Sequence, residues 1–143
     1  MPTTQEVLGW NEMVMADVRA NDGKVTQGPM AGAELLILTT IGAKSGLPRS
    51  RPLAFIRDGD AYVIVGSNGG QELPPSWLEN IQKDPAVTVE VGGKTLTATA
   101  EVTEGDERRR LFDAVSAVMP GFAEYEKSIT SREIPVVRIV PAA

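Results

Sequence analysis

The chain has 143 residues, 42% apolar and 23% charged, which is the composition of a single ordinary globular domain able to fold without disulfide or metal staples. It contains no Cys and no His. That excludes thiol nucleophiles, Fe–S clusters, zinc ribbons, Ser-His-Asp hydrolysis and HExxH metal chemistry, and it leaves any hard reaction to a cofactor.

Charge is uneven along the chain. The net charge is −5 and the isoelectric point near 4.8, which argues against nucleic acid or anionic membrane as the main partner. Yet residues 41–57 carry Lys44, Arg49, Arg51 and Arg57 with no carboxylate. Of the chain's 14 cations and 19 acids, the remaining residues therefore hold ten cations against nineteen acids. No basic segment followed by an apolar stretch opens the sequence. The longest aliphatic run, residues 35–38, falls far short of the roughly 20 residues that span a bilayer. The expected location is the cytoplasm, with no transmembrane segment and no metal site.

Thr3 or Thr4 can cap a helix over residues 5–20, where Val7, Leu8, Trp10, Val14, Met15 and Val18 recur at helical spacing until Asn21-Asp22-Gly23 ends the pattern. Its amphipathic face reads as a packing or lid helix. Residues 21–33, with Gly23, Gly28, Pro29 and Gly32, read as a mobile loop. Residues 34–40 form a short aliphatic strand, residues 42–48 a polar loop, and residues 49–57 a second strand. Asp58-Gly59 is a two-residue turn signal, followed by a strand over residues 61–65 that reads as buried on both faces.

The turn-rich stretch Ser67-Asn68-Gly69-Gly70 comes next, and Pro75 suits the first position of a helix carrying Trp77, Leu78 and Ile81 until Asp84-Pro85 stops it. Residues 87–91 and 95–102 pair as a hairpin across Gly92-Gly93. A helix over residues 105–118 precedes Pro120-Gly121, a short aromatic helix, and a last strand over residues 136–140. About six strands in hairpins with three or four helices predict an α+β fold. Closing those strands into a small barrel hides their edges.

The loop Gly42-Ala43-Lys44-Ser45-Gly46-Leu47-Pro48-Arg49-Ser50-Arg51 is the clearest chemical feature. Its glycines let backbone N–H groups approach an anion, Ser45 offers a hydroxyl, and Lys44 and Arg49 offer charged donors suited to phosphate or carboxylate. A solvated loop is the competing reading, and the Walker pattern fails because Ala43 separates the glycine from Lys44. Ser67 can place a hydroxyl and exposed N–H groups beside a flat ligand, or simply belong to a tight turn. Trp77 can stack on a ring or fill the core. Phe122 and Tyr125 can wall a pocket or pack on the barrel, and only Tyr125 of the two has a proton to give. Arg108-Arg109-Arg110 beside Glu104, Asp106 and Glu107 reads as a solvated helix face.

Taken together, the order Gly42-x-Lys44-Ser45-Gly46-x-x-Arg49-x-x-Pro52-Leu53, Arg57-Asp58-Gly59, Ser67-x-Gly69-Gly70, Pro75-x-Trp77, Asn80, Asp84-Pro85 and Ile134-Pro135 resembles the deazaflavin-dependent nitroreductase family over residues 34–141. The resemblance implies a split β-barrel at 34–143, preceded by a helix and loop at 1–33 that could cover the pocket. It also implies coenzyme F420 as cofactor, a usage found mostly in actinobacteria. Carried over by position, Ala43, Lys44, Ser45, Arg49, Ser50, Arg51, Pro52, Leu53 and Ala54 line the groove for the phosphate and oligoglutamate tail. Val65, Gly66, Ser67 and Asn68, with Ser76, Trp77 and Asn80, flank the deazaflavin ring. Ala54, Met119, Phe122 and Tyr125 face the substrate.

The departures from the family pattern are specific. Ala43 stands where the nitroreductase has a second basic residue, and Asn68 replaces a Lys. Ala54, Met119 and Phe122 replace tyrosines, which favours a roomier, more apolar pocket and activated alkenes of the coumarin or unsaturated-lactone type over nitroimidazoles, with quinones and other nitro compounds also in range. The implied reaction is hydride transfer from reduced F420 to an electron-poor carbon and protonation of the product. Ser67 is the expected hydrogen-bond donor, and Tyr125 or solvent the proton source. The implied partners are a small hydrophobic acceptor and, indirectly, an F420-reducing dehydrogenase. The chain itself is expected as a monomer or homodimer. The alternatives are an FMN-dependent oxidoreductase on the same barrel and a non-catalytic F420-binding protein.

Overall fold

Seven strands and four helices succeed one another in the computed structural model, which describes residues 4–28, 31–68, 73–129 and 131–142, with side chains from residue 9 onward. The candidate cap Thr3, the side chains of Thr4, Val7 and Leu8, and Pro29, Gly69 and Gly70 lie outside the described residues. Helix α1 (Thr4–Ala20) turns its Met15 and Val18 onto Val25, Leu35 and Ile37, while Trp10, which the helical spacing placed with the apolar set, is 54% exposed. The loop after it is pinned at several points. The Asp17 carboxylate accepts hydrogen bonds from the Thr26 N–H and hydroxyl, and backbone bonds join Gly23 to Val18 and Leu35 to Gly23.

Strands β1 (Leu35–Ile41), β2 (Pro48–Ala54), β3 (Ile56–Asp58), β4 (Ala61–Val65), β5 (Ala86–Val91), β6 (Lys94–Val102) and β7 (Val136–Pro141) form one sheet in the order β2-β1-β5-β6-β7-β4-β3. Every pairing is antiparallel. The sequence reading took residues 49–57 as one strand and so counted about six. The chain instead breaks at Phe55, because the residues before it pair with β1 and those after it with β4. Strands β2 and β3 are thus the two outer edges of the sheet with one residue between them. Two peptide units reach only about 7 Å, so the edges must come together and the sheet curls into a split β-barrel. Pro48 and Pro52 are tolerated in β2 because it is an edge strand, where a missing N–H breaks no ladder.

Period-two alternation distributes the core. Ile64 of β4 joins Leu36, Leu38, Val89, Val137 and Ile139 in one cluster, into which helix α2 (Ser76–Lys83) inserts Trp77 and Ile81. Val63 and Val65 face the other way, under Leu111, Phe112 and Val115 of helix α3 (Gly105–Val118), with the half-buried Met119 and the Phe122 and Tyr125 of helix α4 (Gly121–Ser128) packed on the same cluster. Pro75, expected as the first helical residue, sits one step earlier, at the cap of α2 with extended backbone.

Within the basic run of α3, Arg109 and Arg110 are exposed as the solvated reading expects, but Arg108 departs from it. Arg108 is 6% exposed, donates from Nε and Nη2 to the Ile134 carbonyl at 2.9 and 2.7 Å, and lies over the Phe112 ring. Its charge is met by Glu133 at 3.2 Å and Glu126 at 3.8 Å. A guanidinium can be buried here because carboxylates, a carbonyl and a ring face replace its water.

Candidate active site

The expected anion loop, residues 42–47, closes the β1–β2 hairpin. Gly42 donates to the Leu47 carbonyl at 2.8 Å and accepts from Gly46 at 2.9 Å. A Cβ on Gly42 would stand 2.5 Å from Ser45 Oγ, so glycine lets the loop fold onto its own hydroxyl. Ser45 Oγ accepts from the Leu47 N–H, which leaves its proton to donate outward. Helix α2 fixes the loop from outside. Asn80 Oδ1 accepts the Ala43 N–H at 2.9 Å, Asn80 Nδ2 donates to the buried Thr40 hydroxyl at 3.0 Å, and Lys83 Nζ donates to the Ala43 carbonyl at 2.7 Å.

Beside this loop runs a groove of about 660 Å³ lined by Ala43, Lys44, Ser45, Arg49, Ser50 and Arg51 on one side and by Ser76, Trp77 and Asn80 on the other. Helix α1 adds Asn11, Glu12 and Met15, and α2 adds Glu79. Of the four cations in the basic segment, Arg57 is diverted. It pairs with Glu34 at 3.1 Å and stacks over the Phe55 and Tyr62 rings, and the Glu34 carboxylate holds its guanidinium still more firmly protonated. Among the described residues Lys44, Arg49 and Arg51 form no ion pair, and Arg51 reaches only the Ser76 hydroxyl at 3.3 Å. Three cations with no carboxylate in ion-pair reach, against the two acids Glu12 and Glu79 in the same lining, leave the groove net positive and make a landing site for an extended anion.

The other expected residues lie outside that lining. Pro52, Leu53 and Ala54 continue β2 beyond the groove, with Leu53 on the inner core and Ala54 against the α1 cluster. Val65 ends β4 and Gly66 leaves it, pressed so closely that a Cβ there would meet Pro135 Cγ at 2.5 Å and Pro75 Cγ at 3.5 Å. Ser67 is 5% exposed, and Asn68 has φ +50° with its Nδ2 donating to the Leu73 carbonyl. Met119, Phe122 and Tyr125 form a separate aromatic wall beside Val65, with the Phe122 and Tyr125 rings edge to face at 6.1 Å. The exit of β4 therefore joins the two regions. It touches Pro75 at the head of the groove helix on one side and carries the aromatic wall on the other.

Several residues at the site escaped the sequence reading. Asn11, Glu12 and Met15 reach it because α1 packs along β2, a long-range contact with no local signal. Arg132 donates to the Gly66 and Ser67 carbonyls, both at 3.1 Å. Asn80, expected beside the ring, has its amide committed to Thr40 and Ala43.

The model of the F420H(2)-dependent quinone reductase family matches residues 10–141. The chain belongs to that family. An F420H(2)-dependent quinone reductase of Mycobacterium tuberculosis is 36% identical over 121 residues, 83% of this chain and 81% of that protein. A solved F420-H2 dependent reductase is 38% identical with a TM-score of 0.68, covering 73% of this chain and 92% of its own. A second solved chain, described as a domain-swapped dimer, is 32% identical with a TM-score of 0.70, covering 93% and 98%. At 17% identity and a TM-score of 0.52, a pyridoxamine 5'-phosphate oxidase-like protein of Listeria innocua shares the fold alone. The protein is thus an F420-dependent oxidoreductase on a split β-barrel, with reduced F420 as its hydride donor. The groove fits that cofactor, since its three cations without ion-pair partners suit an anionic tail, and Trp77, although 4% exposed and rooted in the core, is among its lining residues.

Among the described residues no helix is long and apolar enough to cross a membrane.

Proposed function

We propose that the groove holds the phosphate and glutamate tail of F420 against Lys44, Arg49, Arg51 and Ser45, with the ring between Trp77 and the β4 exit at residues 65–68. The acceptor then lies against Met119, Phe122 and Tyr125. The observation that carries this reading is the groove's trio of cations without carboxylate partners, set on an otherwise acidic chain. Bound reduced F420 supplies the hydride.

Each residue has a defined task. Lys44, Arg49 and Arg51 neutralise and orient the tail, which fixes the ring's position through binding energy remote from the reaction. Met119, Phe122 and Val65 keep water from the acceptor. The Ser67 hydroxyl donates to a ring or acceptor oxygen, and Tyr125 delivers a proton to the reduced acceptor. The quinone class is the first acceptor to test, because the relatives carry quinone in their names. Activated alkenes such as coumarins demand the same electron-poor carbon and come second.

Each hydride delivered has to be restored, so an F420-reducing dehydrogenase is required upstream. A homodimer is the assembly supported by the relative described as a domain-swapped dimer, and light scattering checks it.

A fluorescence titration with F420, with FMN in parallel, tests the cofactor, and turnover of menadione and of coumarin with reduced F420 tests the acceptor. F420 binding with menadione reduction supports the reading. A preference for FMN, or a yellow protein on purification, overturns the cofactor site, and F420 binding without turnover of any acceptor leaves a carrier protein.

A further inference from the structure

Where β4 ends, one guanidinium takes two consecutive carbonyls. Arg132 Nη1 donates to Gly66 O and Nη2 to Ser67 O, each at 3.1 Å and partly buried. In a regular strand successive carbonyls point to opposite sides, so their convergence on one side chain means that strand alternation is broken at Ser67. The left-handed φ of Asn68, +50°, follows directly after.

The peptide bond is trans, and its N–H points opposite to its C=O. Two amides with both carbonyls on Arg132 therefore turn both of their N–H groups, those of Ser67 and Asn68, away from it together. Consecutive N–H groups on one side make a concave donor pair suited to an oxygen that carries negative charge. Among the described residues neither N–H has a hydrogen-bond acceptor, and the Ser67 hydroxyl has no partner either. The segment is also braced. Gly66 donates to the Pro135 carbonyl at 2.8 Å, and the Pro135 ring leaves no room for a Cβ at Gly66. Residues 132–135 thus hold residues 66–67 by three hydrogen bonds and one packing contact, while the bound guanidinium polarises both amides and strengthens their N–H donors.

We propose that the Ser67 and Asn68 N–H groups, with the Ser67 hydroxyl, bind a carbonyl oxygen, and that Arg132 is the positioning residue that sets and polarises this donor pair. The inference rests on the function proposed above and adds to it a residue and a ligand group. The carbonyl belongs either to the deazaflavin ring or to the acceptor. In the second case the pair meets the charge that grows on the acceptor's oxygen as it is reduced, where donors fixed in advance are most effective.

Nitrogen-15 NMR of the full chain tests this. Oxidised F420 is added first and menadione second, with F420 fluorescence read in parallel. A downfield shift of the Ser67 and Asn68 amide protons on F420 addition assigns the ring carbonyl, and a shift only on menadione addition assigns the acceptor. Arg132→Ala then abolishes the shift. If the ring is the ligand, it raises the F420 dissociation constant about tenfold and leaves the menadione KM unchanged. If the acceptor is the ligand, it lowers kcat by tenfold or more at unchanged F420 affinity.

Low-millimolar guanidinium restores part of the loss, which a merely structural defect would not allow. Arg132→Lys, which keeps the charge without the fork, gives the intermediate phenotype and serves if Arg132→Ala does not fold. Amides that stay unmoved in protein saturated with both ligands overturn the inference and leave the function standing. Failure of the unmodified protein to bind F420 overturns both.

Discussion

The Lys83 ammonium lies 2.7 Å from the carbonyl oxygen of Ala43, so helix α2 delivers a positive charge to the backbone of the anion loop at a position whose own side chain is a methyl group. Lys44, next in sequence, lines the groove beside it. We expect Lys83→Met to weaken F420 binding severalfold at low salt and less at high salt, because a contribution that is mainly charge is screened. Lys44→Ala removes a direct charged hydrogen bond and costs about 1.5 to 3 kcal/mol of binding. Titrations of both variants at two ionic strengths check this, and an unchanged affinity for Lys44→Ala rejects the groove as the tail site.

Asn80→Ala strands two groups at once, the buried Thr40 hydroxyl and the Ala43 N–H. Leaving a buried polar group without its partner costs about 1 to 3 kcal/mol, so thermal unfolding should fall measurably. F420 affinity should fall with it, because the loop loses its brace. If F420 affinity falls with no change in melting temperature, Asn80 touches the cofactor directly.

Gly66→Ala puts a Cβ 2.5 Å from Pro135 Cγ. Neither the Pro135 ring nor the Gly66 backbone, which donates to the Pro135 carbonyl, can yield cheaply, so the expected loss is about 1 to 3 kcal/mol of stability. Chemical denaturation measures it. The paired variant Gly66→Ala with Pro135→Ala should recover part of the loss, since the clash is with that ring.

Asp58 ties three elements together. Its carboxylate receives Arg138 of β7 at 3.1 Å and Arg110 of α3 at 3.5 Å, and these hydrogen bonds and charges hold its pKa below the usual 3.8. A carboxyl group with a depressed native pKa stabilises the fold above its unfolded value. That contribution is lost as pH falls through the native pKa. Stability should therefore decline below about pH 4, where unfolded carboxyls begin to take protons. Asp58→Asn should be less stable than the parent at neutral pH and show a shallower acid decline. Glu90, held low by Arg19, and Asp17, held low by Thr26, keep some acid dependence in the variant. Melting curves from neutral to acid pH decide the point.

Tyr125→Phe tests the proton source. It keeps the ring that packs against Phe122 and Val65, so F420 affinity should hold while kcat for menadione falls at least tenfold. An unchanged kcat assigns the proton to solvent.

Much of the fold was legible because its turns are local. Gly92-Gly93 forms a hairpin tip as expected, the β3–β4 tip is Gly59-Asp60, one residue beyond the expected Asp58-Gly59 because Asp58 still pairs with Ala61, and the helix boundaries follow Asn21-Asp22-Gly23 and Asp84-Pro85. The break at Phe55 was not legible, since residues 50–56 are all half-buried and no Gly, Asn or Asp marks the seam. Arg108 was misread for a related reason. A run of three arginines looks solvated until the Ile134 carbonyl and Glu133, 25 or more positions away, supply partners. The cation-rich loop announced its groove because Lys44, Arg49 and Arg51 lie close together in sequence. Arg132 stands alone among Ser, Glu and Ile, and only the distant Gly66 and Ser67 give it meaning.

The position of β7 has a consequence for assembly of the chain. Among the described residues this strand comes last in sequence yet lies between β6 and β4, and no other strand joins those two. Until residues 136–141 are available, β2-β1-β5-β6 and β4-β3 are separate ribbons connected only through Phe55 and the helices. A polypeptide synthesised from its N-terminus thus reaches residue 135 with two open ladder edges, and one late docking event closes both. Folding should behave as a single cooperative step with a high proportion of distant pairings, slow for its size. During that interval the unpaired edges of β4 and β6 are what a chaperone would have to shield.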